Sequence, residues 1–193
     1  MIESVLTARR ATFRAKIGVK TLLSVLLVAL AVGLPQLVHL FAGASGGVRW
    51  LPMYLPVLLA GCLLGARWGF AVGVFSPVVS YLLTSLWGDP MPALARLPFM
   101  AAELALFAIV SGLWTKKIAV NALWAFPAVA SAFVVGRSGF LALVAIFNAV
   151  TPLTPAAIWG QIQTGMAAVA LQCVLVPALV ILADLAMRKG NRA

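Results

Sequence analysis

Apolar residues fall in long runs along this chain, and short polar or turn-forming segments separate the runs. A helix needs about 20 consecutive apolar residues to cross the hydrocarbon core of a bilayer, and most of these runs approach or exceed that length. The pattern predicts six transmembrane helices in one bundle that forms a single domain, residues 1–193. The predicted helices comprise residues 18–42, 50–66, 68–87, 97–115, 119–150 and 160–187. The predicted fold class is therefore an all-α integral membrane protein.

The first and fifth runs carry features that a plain transmembrane helix lacks. Ala42, Gly43 and Ala44 resemble a signal-peptide cleavage site, but the basic lead-in of about 20 residues is longer than signal peptides have, which favours an uncleaved helix. The fifth run exceeds the length that a bilayer requires and contains Pro127. We therefore expect a tilted or kinked helix there.

The composition excludes a soluble domain. Hydrophobic residues make up 64% of the chain and charged residues only 9%, with a mean hydropathy of +1.11. A soluble domain carries roughly 25% charged and about 45 to 50% apolar residues. The surplus of apolar side chains is accommodated by a lipid bilayer, which is the first partner that the sequence predicts.

The net charge of +10 is explained by topology and not by nucleic acid, because the basic residues flank apolar runs. Basic residues concentrate in cytoplasmic loops, so their distribution predicts orientation. With the amino terminus inside, eleven basic residues are cytoplasmic, namely Arg9, Arg10, Arg14, Lys16, Lys20, Arg67, Lys116, Lys117, Arg188, Lys189 and Arg192. Only Arg49 and Arg96 face outside. Both termini are therefore predicted to be cytoplasmic, which agrees with an even number of spans.

Glycine recurs every fourth residue across the turn between the second and third predicted helices. Gly61 and Gly65 precede Arg67, and Gly69 and Gly73 follow it. Small residues at this spacing let two helix backbones approach closely in lipid. We expect these four glycines to form the packing seam of a helical hairpin.

Two charged residues lie deep inside predicted spans, away from their ends, where an unpaired charge is costly. Glu103 lies about two turns into the fourth predicted helix, and Arg137 lies near the middle of the fifth. An ion pair between them would reduce the cost of burying both. Such a pair either contributes to a binding site or only fixes the register of the two helices.

Further candidate site residues are amides and aromatics near the predicted outer ends. Asn148 follows Arg137 by eleven residues, nearly in phase on a helix, and either reaches solute or caps the helix. Gln161 and Gln172 share a face of the sixth helix, where they either line a pocket or bond to neighbouring helices. Trp50 and Tyr54 either stack on a flat solute or anchor the interface, as do Trp87 and Trp159. His39 is more typical of an interfacial histidine than of a ligand contact.

A set of motifs gives the chain a family resemblance. It includes Leu51-Pro52-Met53, Pro56 to Gly61, Ser76-Pro77, Ala102-Glu103-Leu104, Gly136-Arg137, Leu171-Gln172 and Val176-Pro177, together with the glycines at 65, 69 and 73. These motifs extend over nearly the whole chain, which resembles the substrate-binding S components of energy-coupling factor (ECF) transporters, in particular the broad vitamin-uptake group. Tyr54 stands where many relatives carry histidine, so the resemblance names no particular solute.

The resemblance implies a six-helix binding subunit of an ABC-type transporter in a bacterial or archaeal cytoplasmic membrane. Such a subunit captures a vitamin-like solute from outside and docks on a transmembrane coupling subunit with two ATPase subunits. It binds no cofactor itself, and ATP is used by the partner ATPases; the chain indeed has no phosphate-binding G-x-x-x-x-G-K-[ST] loop. Two pairs of small residues have a spacing suited to docking, Ala29 with Gly33 and Ala11 with Ala15, although for either pair alone ordinary packing within the chain is the favoured explanation.

Other classes of protein remain open. An enzyme is disfavoured, because the chain has one histidine, four carboxylates and neither an H-E-x-x-H nor a G-x-S-x-G motif. Cys62 and Cys173 lie in apolar runs without C-x-x-C spacing, which predicts buried reduced thiols and no metal site. A proton-coupled or solitary carrier that uses Glu103, or a membrane scaffold, fits the same composition.

Overall fold

Helices form the regular secondary structure in a computed structural model that describes residues 1, 2, 6, 12–88 and 90–189, and no strand occurs among these residues. The helices are α1 (Phe13–Trp50), α2 (Tyr54–Leu64), α3 (Ala66–Ser85), α4 (Leu97–Leu113), α5 (Thr115–Val120), α6 (Ala125–Phe147) and α7 (Pro155–Lys189). Short 3-10 turns, Leu94–Arg96 and Ala122–Trp124, precede α4 and α6. The all-α prediction is confirmed for the described residues.

Five of the described helical segments are long and apolar enough to cross a bilayer, which gives the chain the architecture of a multi-pass membrane protein. They are Phe13–Gly43, Ala66–Ser85, Leu94–Leu113, Ala122–Phe147 and Pro155–Met187. The six-helix prediction is not confirmed at its second member, residues 50–66. There the structure has α2, whose 11 residues extend for only about 16 Å at 1.5 Å per residue, roughly half of a hydrocarbon core.

The short helix α2 is enclosed by the rest of the protein. Of its 11 residues, eight are buried, and they lie on all sides of the helix. A helix that is apolar all round is typical of a buried position as well as of a lipid-facing one. The apolar run that suggested a transmembrane span therefore reflects contact with protein.

The chain reaches α2 by turning back on itself at Gly43. This residue has φ 66° and ψ −171°, which interrupts α1. A Cβ at Gly46 would lie 3.0 Å from Cγ1 of Val38, eight residues earlier, which a straight helix could not achieve. The following segment ends at Leu51, whose carbonyl oxygen accepts a 2.9 Å hydrogen bond from Nε2 of Gln172. Because Gln172 lies halfway along α7, helix α2 begins near the middle of the bundle and not at its surface.

The predicted helix 119–150 is two helices in the structure. Asn121 has an extended conformation, with φ −143° and ψ 114°, and it separates α5 from the helical segment that begins at Ala122. Pro127 lies in the first turn of α6, where a missing amide hydrogen is tolerated. The break is therefore at Asn121 and not at the proline.

The glycine seam joins three helices instead of two. A Cβ at Gly69 would lie 3.0 Å from Cα of Gly61, so the predicted contact between the hairpin arms is present. A Cβ at Gly73 would instead lie 2.7 Å from the carbonyl oxygen of Leu104 on α4, and Gly61 also packs against α4. Gly65 has φ 93° and forms the turn between the two arms, and a Cβ added there would meet only Thr115 within 4 Å, so the turn conformation and not close packing requires this glycine. Gly112 on α4, absent from the prediction, packs against Gly65 and Ala66.

Candidate solute-binding cavity

A cavity of about 270 Å³ borders the amino-terminal end of α2. It lies in the half of the bundle that contains the 3-10 turn before α4. Residues from α1, α4, α6, α7 and the segments that lead to α2 and α4 contribute to its wall. The polar and charged lining residues are His39, Tyr54, Arg96, Glu103, Arg137 and Gln161. The apolar ones are Pro35, Leu51, Pro52, Met53, Met91, Pro92, Ala93, Met100 and Phe140. The cavity exists because α2 is short: a full-length span would occupy this space.

Tyr54, Glu103 and Arg137 form a connected polar group in the cavity wall. Nη1 of Arg137 donates to Oε1 of Glu103 at 3.1 Å, and the hydroxyl of Tyr54 donates to Oε2 of the same carboxylate at 2.7 Å. The guanidinium carbon of Arg137 lies 5.0 Å from the centre of the Tyr54 ring. Their exposed fractions are only 4%, 1% and 8%. The predicted pairing of Glu103 with Arg137 is thus present, and Tyr54 joins it.

The antiparallel packing of α4 and α6 brings the ion pair together. Four residues beyond Glu103, Phe107 meets Phe133, which precedes Arg137 by four residues, with 5.3 Å between the ring centres. Four residues are close to one helical turn, so the two contacts stack along one interface. Gly136 leaves room for the ring of Phe107 at this interface.

Arg96 and Gln161 form a second polar pair in the cavity wall. Nη2 of Arg96 donates to Oε1 of Gln161. From its position in the sequence, Arg96 was predicted only to lie in an outer loop, and its place in the cavity was missed. The spacing of Arg96 could have indicated this place. Arg96, Met100 and Glu103 follow one another at intervals of four and three residues and so lie on one face of the helix.

One edge of the Arg137 guanidinium has no partner. Nε and Nη2 are buried and make no hydrogen bond within the described part of the chain. A Cβ at Gly165 on α7 would lie 3.3 Å from Nη2, so the glycine leaves this edge free of a side chain. Buried donors that make no bond are costly and usually have an unseen partner.

The segment between α3 and α4 is fixed where it closes the cavity. The amide of Met91 donates to Oγ1 of Thr84 at 2.8 Å, and its carbonyl oxygen accepts a 2.9 Å hydrogen bond from the hydroxyl of Ser80. Both partners lie on α3. These bonds hold Met91 and Pro92 against the cavity.

The structure does not bring all of the predicted site residues to the cavity. Asn148 is exposed and follows the last residue of α6, so the helical phase that linked it to Arg137 ends before it. Trp50 is 47% exposed and does not line the cavity, and Trp87 and Trp159 are also exposed. Gln172 bonds to the backbone before α2, as a structural glutamine does, rather than to the site. Tyr54, Glu103, Arg137 and Gln161 are the predicted residues that meet there.

A second cavity, of about 790 Å³, lies between α1 and α3. Ala29 and Gly33 both line it. A Cβ at Gly33 would meet no described atom within 4 Å, so packing within the described chain does not require this glycine. Ala15 is exposed in the first turn of α1, and Ala11 lies outside the described residues.

The chemistry available in the cavity is that of hydrogen bonds and charge. Within residues 12–88 and 90–189, no three metal-ligating side chains of the His, Cys, Asp or Glu type lie together. Cys62 and Cys173 are free thiols, the first buried and the second half-buried.

Comparisons with protein-family models, curated proteins and solved structures found no match for this chain.

Proposed function

We propose that the chain is the membrane-embedded substrate-binding S component of an ECF-type transporter. In this role it captures a small vitamin or vitamin precursor from outside a bacterial or archaeal cytoplasmic membrane. A transmembrane coupling subunit and two ATPase subunits then drive uptake at the expense of ATP. The cavity above α2 carries the proposal to bind a solute, and the sequence motifs described above carry the choice of family.

The cavity has the properties of a small-molecule site. Its volume of about 270 Å³ lies near the lower end of ligand pockets, which have mostly apolar walls and a few convergent polar groups. Charged side chains at membrane depth are rare outside functional sites. A wall that combines Glu103, Arg137 and Arg96 with methionine and proline side chains supports a receptor more than a scaffold.

The face of α1 that carries Ala29 and Gly33 is the proposed docking surface for the coupling subunit. Small residues four apart let a partner helix approach closely, and the space beside Gly33 is open in the described chain. Ala15 is exposed near the amino-terminal end of the same helix and is a second candidate for this contact.

Blocking the cavity tests the binding proposal. Met100 lines the cavity, so Met100→Trp should fill it, whereas Leu113→Trp on the same helix lies at a 70% exposed position and serves as the matched control. Wild-type protein and both variants are purified in detergent. Solutes retained by each are then identified by mass spectrometry, and binding of water-soluble vitamins is measured by calorimetry.

We expect the control to retain the same solute as wild type and Met100→Trp to lose it. Equal retention by the two tryptophan variants would place binding elsewhere, and no solute in any sample would favour a scaffold.

A proton-coupled carrier is the second candidate, because the buried carboxylate of Glu103 lies in the cavity wall beside a tyrosine hydroxyl. Purified chain alone in vesicles distinguishes the two. Accumulation of solute driven by an imposed proton gradient would establish a carrier, whereas binding without accumulation would support the receptor.

A further inference from the structure

We infer that the solute is an organic anion with a carboxylate group, and that Arg137 and Arg96 bind this group. The inference rests on the proposed solute-receptor function and narrows its substrate class. It follows from the balance of charge in the cavity, from the free edge of Arg137 and from the position of α2.

The charges that line the cavity do not cancel. Two arginines, Arg96 and Arg137, face a single carboxylate, Glu103. That carboxylate is already occupied, because Arg137 and the Tyr54 hydroxyl each bond to one of its oxygens. Arg96 bonds to the neutral amide of Gln161 and has no acidic partner among the described residues. One negative charge from a solute would restore neutrality.

The free edge of Arg137 has the geometry that a carboxylate requires. The guanidinium Nε–H and the Nη2–H on the same side are parallel donors, and this pair can hold both oxygens of a carboxylate. In the structure, Nη1 serves Glu103 while Nε and Nη2 make no bond within the described residues. Both atoms are fully enclosed in this conformation, so Arg137 keeps its internal ion pair and accepts an anionic group at the other edge once the groups packed over Nε and Nη2 move apart.

Helix α2 adds a further favourable field. Leu51, Pro52, Met53 and Tyr54 line the cavity, so the amino-terminal end of α2 points at it. A helix amino terminus carries a partial positive charge, which favours anions. At α2 this charge is the main contribution, because Pro56 has no amide hydrogen and the Tyr54 amide already donates to the Leu51 carbonyl oxygen. The arginine edge and the helix end thus favour the same sign of charge.

The remaining wall restricts the rest of the solute. Met91, Pro92, Met100 and Phe140 provide apolar surface around the charged groups. The inferred solute therefore has one acidic group on a compact, largely uncharged body.

Matched pairs of an acid and its neutral analogue test the inference on the full chain in detergent. The probes are nicotinate and nicotinamide, pantothenate and panthenol, and biotin and biotin amide. Affinity is measured by calorimetry for wild type, for Arg96→Gln in the cavity and for Arg49→Gln, an exposed arginine outside it. Solute retained from the producing cells is identified in parallel by mass spectrometry, with chemical derivatisation to reveal carboxyl groups.

We expect the acid of at least one pair to bind at least tenfold more tightly than its neutral analogue, because hydrogen bonds to a charged group contribute more than neutral ones. Arg96→Gln should reduce this preference about tenfold, and Arg49→Gln should leave it unchanged. Neutral analogues that bind as well as the acids, or a retained solute without an acidic group, would overturn the inference and leave the receptor function standing. Absence of any bound or retained solute would overturn both.

Discussion

At the scale of single residues, the group formed by Tyr54, Glu103 and Arg137 is the most costly feature of the protein. Burying one carboxylate and one guanidinium removes both from water, and their attraction offsets this cost only when further hydrogen bonds satisfy them. Glu103 reaches that condition, since both of its oxygens accept a bond. Arg137 does not, because two of its nitrogens make no bond in the described structure. The unsatisfied half of the pair is therefore the half that we expect a solute to complete.

Removing the Tyr54 hydroxyl should destabilise the protein. Tyr54→Phe keeps the ring that packs 4.8 Å from Phe107 but loses the 2.7 Å bond to Glu103. A hydrogen bond to a charged group contributes about 1.5 to 3 kcal/mol, so the melting temperature in detergent should fall. Tyr81→Phe is the matched control, since the Tyr81 hydroxyl donates to no group in the described part of the chain. Equal melting temperatures for the two variants would show that the bond to Glu103 does not contribute to stability.

The ion pair should show non-additive substitution effects. Glu103→Gln and Arg137→Gln each leave one buried charge without its partner, which typically costs about 3 to 5 kcal/mol. The double variant has no net buried charge, so it should recover part of the lost stability while binding of an anionic solute stays weak. Thermal unfolding and calorimetric binding are measured on all three variants. Additive losses of stability would mean that the two side chains do not interact as the structure places them.

The sequence located these residues unequally, for physical reasons. A charge in the middle of an apolar run has few explanations, so Glu103 and Arg137 could be identified at once. Arg96 escaped because an arginine at the end of an apolar run also fits an ordinary loop, and only its two-turn spacing from Glu103 distinguishes it. Asn148 was assigned by helical phase, which cannot reveal that α6 ends one residue earlier.

At the scale of helices, the length of α2 determines where the cavity lies. An apolar run shows that a segment avoids water, but it does not show whether lipid or protein surrounds the segment. For α1, α3, α4, α6 and α7 the prediction was close, since these runs are long enough to require a bilayer. For α2 a full span is not confirmed, because the helix has only 11 residues and eight of them are buried against protein. The turn at Gly43 that permits this arrangement has no signal in hydropathy.

The glycines that join α2, α3 and α4 should tolerate no side chain. In Gly73→Ala the new Cβ would lie 2.7 Å from the Leu104 carbonyl oxygen, so α3 and α4 must separate. Overpacking of this kind typically costs about 1 to 3 kcal/mol. Gly160→Ala on α7 is the control, because its Cβ meets no described atom within 4 Å, and alanine there should stabilise the helix by about 0.4 to 1 kcal/mol. The two melting temperatures should therefore change in opposite directions, and a stabilising effect of Gly73→Ala would contradict the seam.

At the scale of the whole molecule, the second cavity, between α1 and α3, should serve to bind the partner subunit and not to capture solute. Gly33→Leu would fill space that the described chain leaves empty, so the isolated protein should keep its fold and its solute affinity. The same change should reduce copurification with a coexpressed coupling subunit and its ATPases, because a bulky side chain prevents close helix approach. Gly160→Leu, which also enters open space but lies on α7, is the control. If Gly33→Leu copurified with the coupling subunit as well as wild type does, the second cavity would not be part of the docking surface.

The number of complete helices does not by itself determine the sidedness of the protein, because the chain between Gly43 and Gly65 returns across the bundle in two pieces. The segment after Gly43 runs back beside α1 to Leu51, and α2 continues to the turn at Gly65. Counted as one passage, this return and the five long helices make an even number of crossings, so both termini should be on one side. The excess of basic residues predicts that this side is the cytoplasm. Val150 and Val120 test it as a matched pair, since Val150 lies three residues beyond the end of α6, Val120 is the last residue of α5 before the opposite end of α6, and they are 79% and 81% exposed. In a background with Cys62→Ala and Cys173→Ala, Val150→Cys should react with a membrane-impermeant maleimide on intact cells, and Val120→Cys should react only after permeabilisation. The reverse pattern would invert the protein and turn the cavity towards the cytoplasm, where it could not capture solute from outside.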